Sequence, residues 1–147
     1  MDSSVSYSVS KKIRAPLGFV FEWCTDFREG DPGLWGSPAK NIILDKSDKK
    51  VVYRTERRRG EVVLRTTSTV TLSPPDAWHV NADGDEREYR GDYRLRSRGD
   101  YTELEIKFVW RTKGPVVRTA AELSEGSSAM WDKLVKALEN DYRSARS

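Results

Sequence analysis

The sequence has one cysteine, one histidine and no long apolar run. A single cysteine, Cys24, rules out an intramolecular disulfide, and a single histidine, His79, rules out a metal site built from several histidines. The polar start at residues 1–4 contains no apolar signal-peptide core, and no segment approaches the roughly 18 apolar residues that a membrane span needs. We therefore expect a cytoplasmic protein without stable membrane insertion.

The sequence also has no large excess of positive or of negative charge. The 147 residues carry 26 Lys and Arg against 23 Asp and Glu, which leaves a net charge of +3. Charges that nearly cancel indicate a solvated surface rather than a polybasic arm, so we predict no nucleic-acid partner. This length is most simply one domain with a core of its own, and we assign residues 1–147 to it. The oligomeric state is left open.

The most distinctive segment is a strand that leads into a short helix. Val5, Tyr7 and Val9 alternate with polar residues, as in a strand with one buried face. Pro16 suits the first position of a helix, where its missing N–H is not needed. The apolar residues that follow recur at helical spacing and form one stripe: Leu17, Val20, Phe21, Cys24 and Phe27.

The pattern Ile-x-Ala-Pro-x-x-x-Val-Phe-x-x-x-x-Asp over residues 13–26 resembles the entry segment of the START-like, or birch-pollen-allergen-like, SRPBCC superfamily. The resemblance is to the branch that includes polyketide cyclases and coenzyme-Q-binding proteins. It implies an α+β helix-grip fold, in which a curved antiparallel sheet wraps around a long C-terminal helix. It also implies a ligand cavity between the two.

The rest of the chain fits this order of elements, β-α-α-β6-α with about seven strands. Short turn-rich links between the strand signals predict an antiparallel meander. Residues recurring at three and four then predict a helix from about Pro115 to Arg143, or from a capping box at 119–122. The six later strand signals are Asn41–Asp45, Lys50–Arg57, Glu61–Leu72, Ala77–Ala82, Glu88–Ser97 and Tyr101–Thr112.

Strand alternation identifies the side chains that face the helix. This inward set mixes large aromatic rings with hydroxyl groups, as small-molecule sites do, although such residues also fill ordinary cores. The predicted ligand contacts on the strands are Thr66, Ser68, Trp78, Tyr89, Tyr93, Phe108 and Trp110.

On the long helix, Ser124 and Ser128 flank Gly126 on the predicted inward face. Such small residues leave either a void or a close approach of helix and sheet, and the family resemblance favours the void. Both serines are therefore added to the predicted ligand contacts. Trp131 and Leu138 are expected to anchor the second half of the helix.

We predict no catalytic residue, metal or cofactor. His79 falls on the outward face of its strand, and Cys24 lies on an apolar stripe. The alternation shows no inward carboxylate or lysine. The sequence favours a carrier or sensor of a hydrophobic or aromatic small molecule or lipid over an enzyme. A polyketide cyclase or dehydratase using the same cavity, and a chaperone-activator-like protein-interaction module, are the alternatives.

Overall fold

The computed structural model describes residues 4–27, 33, 39–113 and 118–146. Its elements follow the predicted order, except that a second short helix would fall within residues 28–38, nearly all of which lie outside the described residues. The elements are β1 (Val5–Ile13), α1 (Leu17–Thr25), β2 (Lys40–Lys46), β3 (Lys50–Arg59), β4 (Val62–Ser73), β5 (Ala77–Gly84), β6 (Arg87–Ser97), β7 (Thr102–Thr112) and α2 (Ala120–Arg146).

The seven strands form one antiparallel sheet in the order β1-β7-β6-β5-β4-β3-β2. Each strand from β2 to β7 pairs with its neighbour in the chain, which confirms the predicted meander, and β1 returns to pair with β7. The register places Arg94 opposite Glu105 and Arg96 opposite Glu103, as expected from a turn at 98–100. Gly99 in that turn has a φ of 75°, a conformation that favours glycine.

Helix α2 begins at Ala120, at the capping box and not at Pro115. The Glu122 N–H donates to Thr119 Oγ1 at 3.1 Å, and the Thr119 N–H donates to Glu122 Oε1 at 3.3 Å. These reciprocal bonds satisfy backbone donors that the first helical turn leaves without partners. Of the two predicted starts, the one at 119–122 is therefore right.

One flank of α2 is attached to β1 by polar contacts. Lys11 Nζ donates to Ser128 Oγ at 2.7 Å and lies 2.6 Å from Asp132 Oδ1. One turn earlier, Ser124 Oγ is 3.4 Å from the carbonyl oxygen of Ser8. The two serines predicted to face a ligand therefore face this edge strand, where they help to fix the position of the helix.

The C-terminal half of α2 is anchored by apolar packing. Leu138 is fully buried, and Leu134 and Trp131 are each 7% exposed. All three belong to one hydrophobic cluster with residues of the sheet and of α1, including Leu104 and Val20. This packing confirms the predicted anchor.

Replacing Leu138 by Ala should lower the free energy of unfolding by about 2–5 kcal/mol, because it deletes fully buried methyl groups and leaves a void. Chemical denaturation measures the change. Lys136→Ala, at an exposed position of the same helix, is the control and should shift stability by less than about 0.5 kcal/mol. A loss below about 1 kcal/mol for Leu138→Ala would contradict the described packing of α2 on the sheet.

Candidate ligand-binding cavity

A cavity of about 410 Å³ lies between the N-terminal half of α2 and the face of the sheet that this helix covers. Its volume is within the range of about 300–1,000 Å³ that is typical of small-molecule sites. The helix lines it with Leu123, Gly126, Ser127, Met130 and Trp131. Leu134 lines it as well, so the cavity ends against Trp131 and Leu134 of the packed anchor.

Gly126 decides between the two predicted consequences of small helix residues. A Cβ atom built on Gly126 would meet no atom within 4 Å. A close approach of helix and sheet would instead crowd that position. Gly126 is exposed and lines the cavity, so it lies at an open edge of this space and not at a close contact of helix and sheet.

Aromatic rings from β5, β6 and β7 form a wall of the cavity. Trp78 stacks on Tyr93 with ring centroids 4.9 Å apart, and Tyr89 stacks on Trp110 at 5.3 Å. Phe108 stands between the two pairs, with its ring edge-on to Tyr93 at 5.9 Å. Offset-stacked and edge-to-face pairs are favoured arrangements of aromatic rings. Each ring is therefore supported by its neighbours, whatever fills the cavity.

Gly91 makes this ring arrangement possible. It lies on β6 between Tyr89 and Tyr93, and it is buried. A Cβ atom at Gly91 would come within 2.9 Å of Tyr93 Cε1 and 3.2 Å of Phe108 Cε1. Any larger residue would displace at least one ring. The glycine thus serves close packing of the aromatic wall rather than a turn.

Six of the nine predicted contact residues line the cavity, and three lie outside its lining. Ser68 is 1% exposed and faces inward but is buried beside the cavity. Ser124 and Ser128 occupy the flank of α2 that faces β1. The six residues that line it are Thr66, Trp78, Tyr89, Tyr93, Phe108 and Trp110. A ligand-contact role for all nine stays a prediction.

Sequence reasoning missed several polar groups of the cavity. Tyr7 Oη and Ser127 Oγ are 3.2 Å apart, so the helix serine nearest the cavity is neither of the two predicted. Thr55 Oγ1 donates to Asn41 Oδ1 at 2.8 Å on β3 and β2. The alternation of Tyr53, Thr55 and Arg57 along β3 was the signal that could have revealed this wall.

Charged residues gather at one end of the cavity, here called the charged end: Arg57, Glu86 and Arg87. Glu86 Oε1 lies 2.6 Å from Arg57 Nη2, and Glu86 Oε2 lies 3.1 Å from Arg59 Nη1. Both oxygens of this carboxylate are therefore held by guanidinium groups. A carboxylate held in this way is poorly placed to accept a proton from a substrate.

Arg87 is an inward-facing cation that the sequence pattern did not reveal. The predicted strand began at Glu88, whereas β6 begins one residue earlier. Arg87 therefore continues the inward series of Tyr89 and Gly91, because alternate residues of a strand share a face. Placing the start of this strand one residue too late therefore left Arg87 out of the predicted inward set.

Two tyrosine hydroxyls of the cavity are held in their neutral form. Burial raises the pKa of Tyr93 well above its ordinary value of 10.0. Burial also raises the pKa of Tyr7, against a smaller opposing effect of its contact with Ser127. At neutral pH both phenols therefore act as hydrogen-bonding groups and not as acids or bases.

Of the two remaining chemical candidates, Cys24 lines the cavity and His79 lies outside its lining. His79 Nδ1 is hydrogen-bonded to Asp92 Oδ1 on the outer face of β5 and β6, the face that the strand alternation predicted for His79. Across residues 4–27, 39–113 and 118–146, no three His, Cys, Asp or Glu side chains are grouped so that they could hold a metal ion. Neither α1 nor α2 is long and apolar enough to cross a membrane.

Solved structures with the same architecture are known. TTHA0849 from Thermus thermophilus matches with a TM-score of 0.76 and 14% identity, over 97% of this chain and 100% of that one. A START superfamily protein from Mycobacterium smegmatis matches with a TM-score of 0.65 and 19% identity, over 97% and 98%. The Zhui aromatase/cyclase from Streptomyces sp. R1128 matches with a TM-score of 0.67 and 18% identity, over 95% and 94%.

No protein-family model and no curated protein matches the sequence. At sequence identities of 14–19%, structural similarity establishes the fold alone. The chain has the START-like helix-grip fold, so the resemblance seen in its first helix is confirmed for the architecture. The chemistry of its cavity has to be argued from its own residues.

Replacing Tyr93 by Phe should reduce the loss of stability at alkaline pH. The raised pKa of Tyr93 means that the folded state holds the phenol proton more tightly than the unfolded chain. The stability that this tighter hold on the proton gives the folded state is therefore complete below about pH 10. It is lost as pH rises beyond that value. Urea denaturation from about pH 8 to 11 measures the slope.

Tyr101→Phe, in the turn between β6 and β7, is the control for this experiment. Tyr93→Phe should flatten the alkaline slope more than Tyr101→Phe does. Equal slopes for the two variants would contradict the buried, neutral state of the Tyr93 phenol.

Proposed function

We propose that the chain binds one hydrophobic or aromatic small molecule between the sheet and α2, as a carrier or sensor. The observation that carries this proposal is the cavity of about 410 Å³, which ten aromatic residues line. Stable aromatic surface next to a void favours an apolar guest, because burying apolar area is worth about 25 cal/mol per Å². The cavity lining also contains a few hydroxyl and amide groups, which are enough to orient a ligand.

Binding without chemistry fits the polar groups better than catalysis does. General acid–base catalysis needs a group that exchanges a proton near neutral pH within reach of the substrate. The phenols of Tyr7 and Tyr93 have raised pKa values, and both oxygens of Glu86 are held by arginines. These groups can orient a ligand but are poorly suited to move its protons.

A polyketide cyclase-like activity is the second candidate. It is favoured by fold similarity to the Zhui aromatase/cyclase and to the di-domain ARO/CYC StfQ. In a cavity of this kind, shape alone can fold a flexible substrate chain, with Tyr89 and Thr66 as hydrogen-bonding groups.

Incubation with a linear poly-β-ketone, followed by mass spectrometry, distinguishes the carrier from the cyclase. We expect the compound to be recovered unchanged, and turnover abolished by Tyr89→Phe would replace the carrier by the cyclase.

The interaction-module alternative has less support. In the part of the chain that the structure describes, the exposed large apolar residues are Leu44 and Val62, on separate strands. Two isolated residues do not make an apolar patch of the size that marks protein interfaces. The arginines on the sheet's outer face are partly neutralised, as by the pairing of Arg111 with Glu88.

Ser127→Phe should abolish binding of a neutral apolar probe, such as N-phenyl-1-naphthylamine, while the protein stays folded. Ser127 lines the cavity, so a phenyl ring there occupies the space the probe needs. Probe fluorescence should show at least a tenfold loss of affinity, equivalent to about 1.4 kcal/mol. Ala129→Phe, which adds the same ring to an exposed position of α2, should bind as the wild type does.

The same variants test whether the space is open. In a filled core, the new ring would destabilise the fold by about 1–3 kcal/mol through overpacking, and the wild type would bind no probe. That pair of results would contradict the proposal. Native mass spectrometry of protein from its own host, which would reveal a co-purified hydrophobic compound, tests it without a chosen probe.

A further inference from the structure

We infer that the ligand carries an anionic oxygen group, a carboxylate or a phosphate, and that Arg87 binds this group at the charged end of the cavity. The inference rests on the proposed function and adds the chemical class of the ligand. It begins from the position of Arg87, the first residue of β6, on the strand face that holds Tyr89. Arg87 lines the cavity beside the aromatic wall.

Part of the Arg87 guanidinium is buried without a hydrogen-bond partner. Its Nε atom is buried and makes no hydrogen bond within the described ranges. Buried polar groups are nearly always hydrogen-bonded, since water is no longer there to satisfy them. A buried donor without a partner, on a residue that lines the cavity, is therefore a position that a ligand can complete.

Three other arginines at or beside the cavity have carboxylate partners. Arg57 and Arg59 share Glu86, and Arg65 Nε lies 3.0 Å from Glu56 Oε2. Arg111, on the other side of the sheet, pairs with Glu88. Arg87 forms no ion pair with any carboxylate in residues 4–27, 39–113 or 118–146. Arg118, which also lines the cavity, is likewise in no described ion pair, and of these two cations Arg87 is the one held against the aromatic wall.

The cavity lining as a whole carries more positive than negative charge. Four arginines line it, Arg57, Arg65, Arg87 and Arg118, against two glutamates, Glu86 and Glu122. Glu86 is shared by two arginines, and Glu122 caps helix α2. An anion at this end would meet a surplus of positive charge in surroundings partly shielded from water, where charge–charge attraction is stronger than in bulk solvent.

Aromatic contact orients the guanidinium for this role. Arg87 Cζ lies 5.2 Å from the ring centroid of Trp110, within cation–π distance. Trp110 in turn stacks on Tyr89. A planar guanidinium held over a ring keeps its N–H edge available, and this edge matches the two oxygens of a carboxylate or phosphate. The apolar body of the ligand would then lie along the adjacent aromatic wall.

Three matched naphthalene probes test the inference: 2-naphthoic acid, 2-naphthyl phosphate and the neutral 2-naphthamide. Isothermal titration calorimetry at pH 7.5 should give at least one anion about tenfold or more higher affinity than the amide, as expected for hydrogen bonds to a charged group. The acid and phosphate arms distinguish a carboxylate ligand from a phosphorylated one. Added salt should reduce the anion preference and leave amide binding unchanged.

Arg87→Met should remove the preference by lowering anion affinity about tenfold or more. Arg87→Lys, which keeps the charge without the planar fork, should retain part of it and serves if the Met variant does not fold. Arg94→Met is the matched control, because Arg94 is exposed on the outer face of the same strand. Anion affinity that equals amide affinity in the wild type, or a preference that survives in both Arg87 variants, would overturn the inference.

Failure of this inference is distinguishable from failure of the proposed function. If all three probes bind equally, the cavity takes apolar ligands and Arg87 does not select among them. If neither these probes nor the neutral fluorescent probe binds, the cavity is not a ligand site and both proposals fail.

Discussion

The cavity depends on how helix α2 is held against the sheet. Leu138 and Leu134 pack into the core at its C-terminal half, and Lys11 of β1 fastens its flank through Ser128 and Asp132. With the helix fixed in this way, its distance from the sheet cannot adjust to the size of the residues near its start. Small side chains there leave space, because helix and sheet do not close the gap between them.

The sheet supplies the opposite surface of that space, and its rings are rigid for a local reason. The rings of Phe108 and Tyr93 lie close to Gly91 of β6 because Gly91 has no side chain. Their edge-on contact then supports the stacked pairs on either side. A preformed apolar wall lowers the ordering cost of binding, since the protein loses little further freedom when a ligand arrives. Affinity for an apolar molecule can thus arise without a conformational change.

Charge distinguishes the two ends of the site. Over most of the cavity the polar groups are neutral, including the buried phenols of Tyr7 and Tyr93, whose pKa values are raised. At the charged end, Glu86 neutralises Arg57 but nothing described neutralises Arg87. An amphipathic ligand would therefore enter in one orientation, with its polar group toward Arg87. A carrier needs such an orientation to distinguish one apolar molecule from another.

The sequence by itself determined the order of elements, the inward faces of β1 and of β4 to β7, and the anchor at Trp131, because periods of two and 3.6 reflect burial directly. Only the tertiary structure decided which side of α2 faces the cavity. Ser124 and Ser127 are less than one turn apart, and the rotation that separates them is set by contacts with β1. Arg87 was also beyond the sequence pattern. Strand ends are fixed by pairing between strands, and the pairing of Arg87 with Thr112 extends β6 by the one residue that places this cation inside.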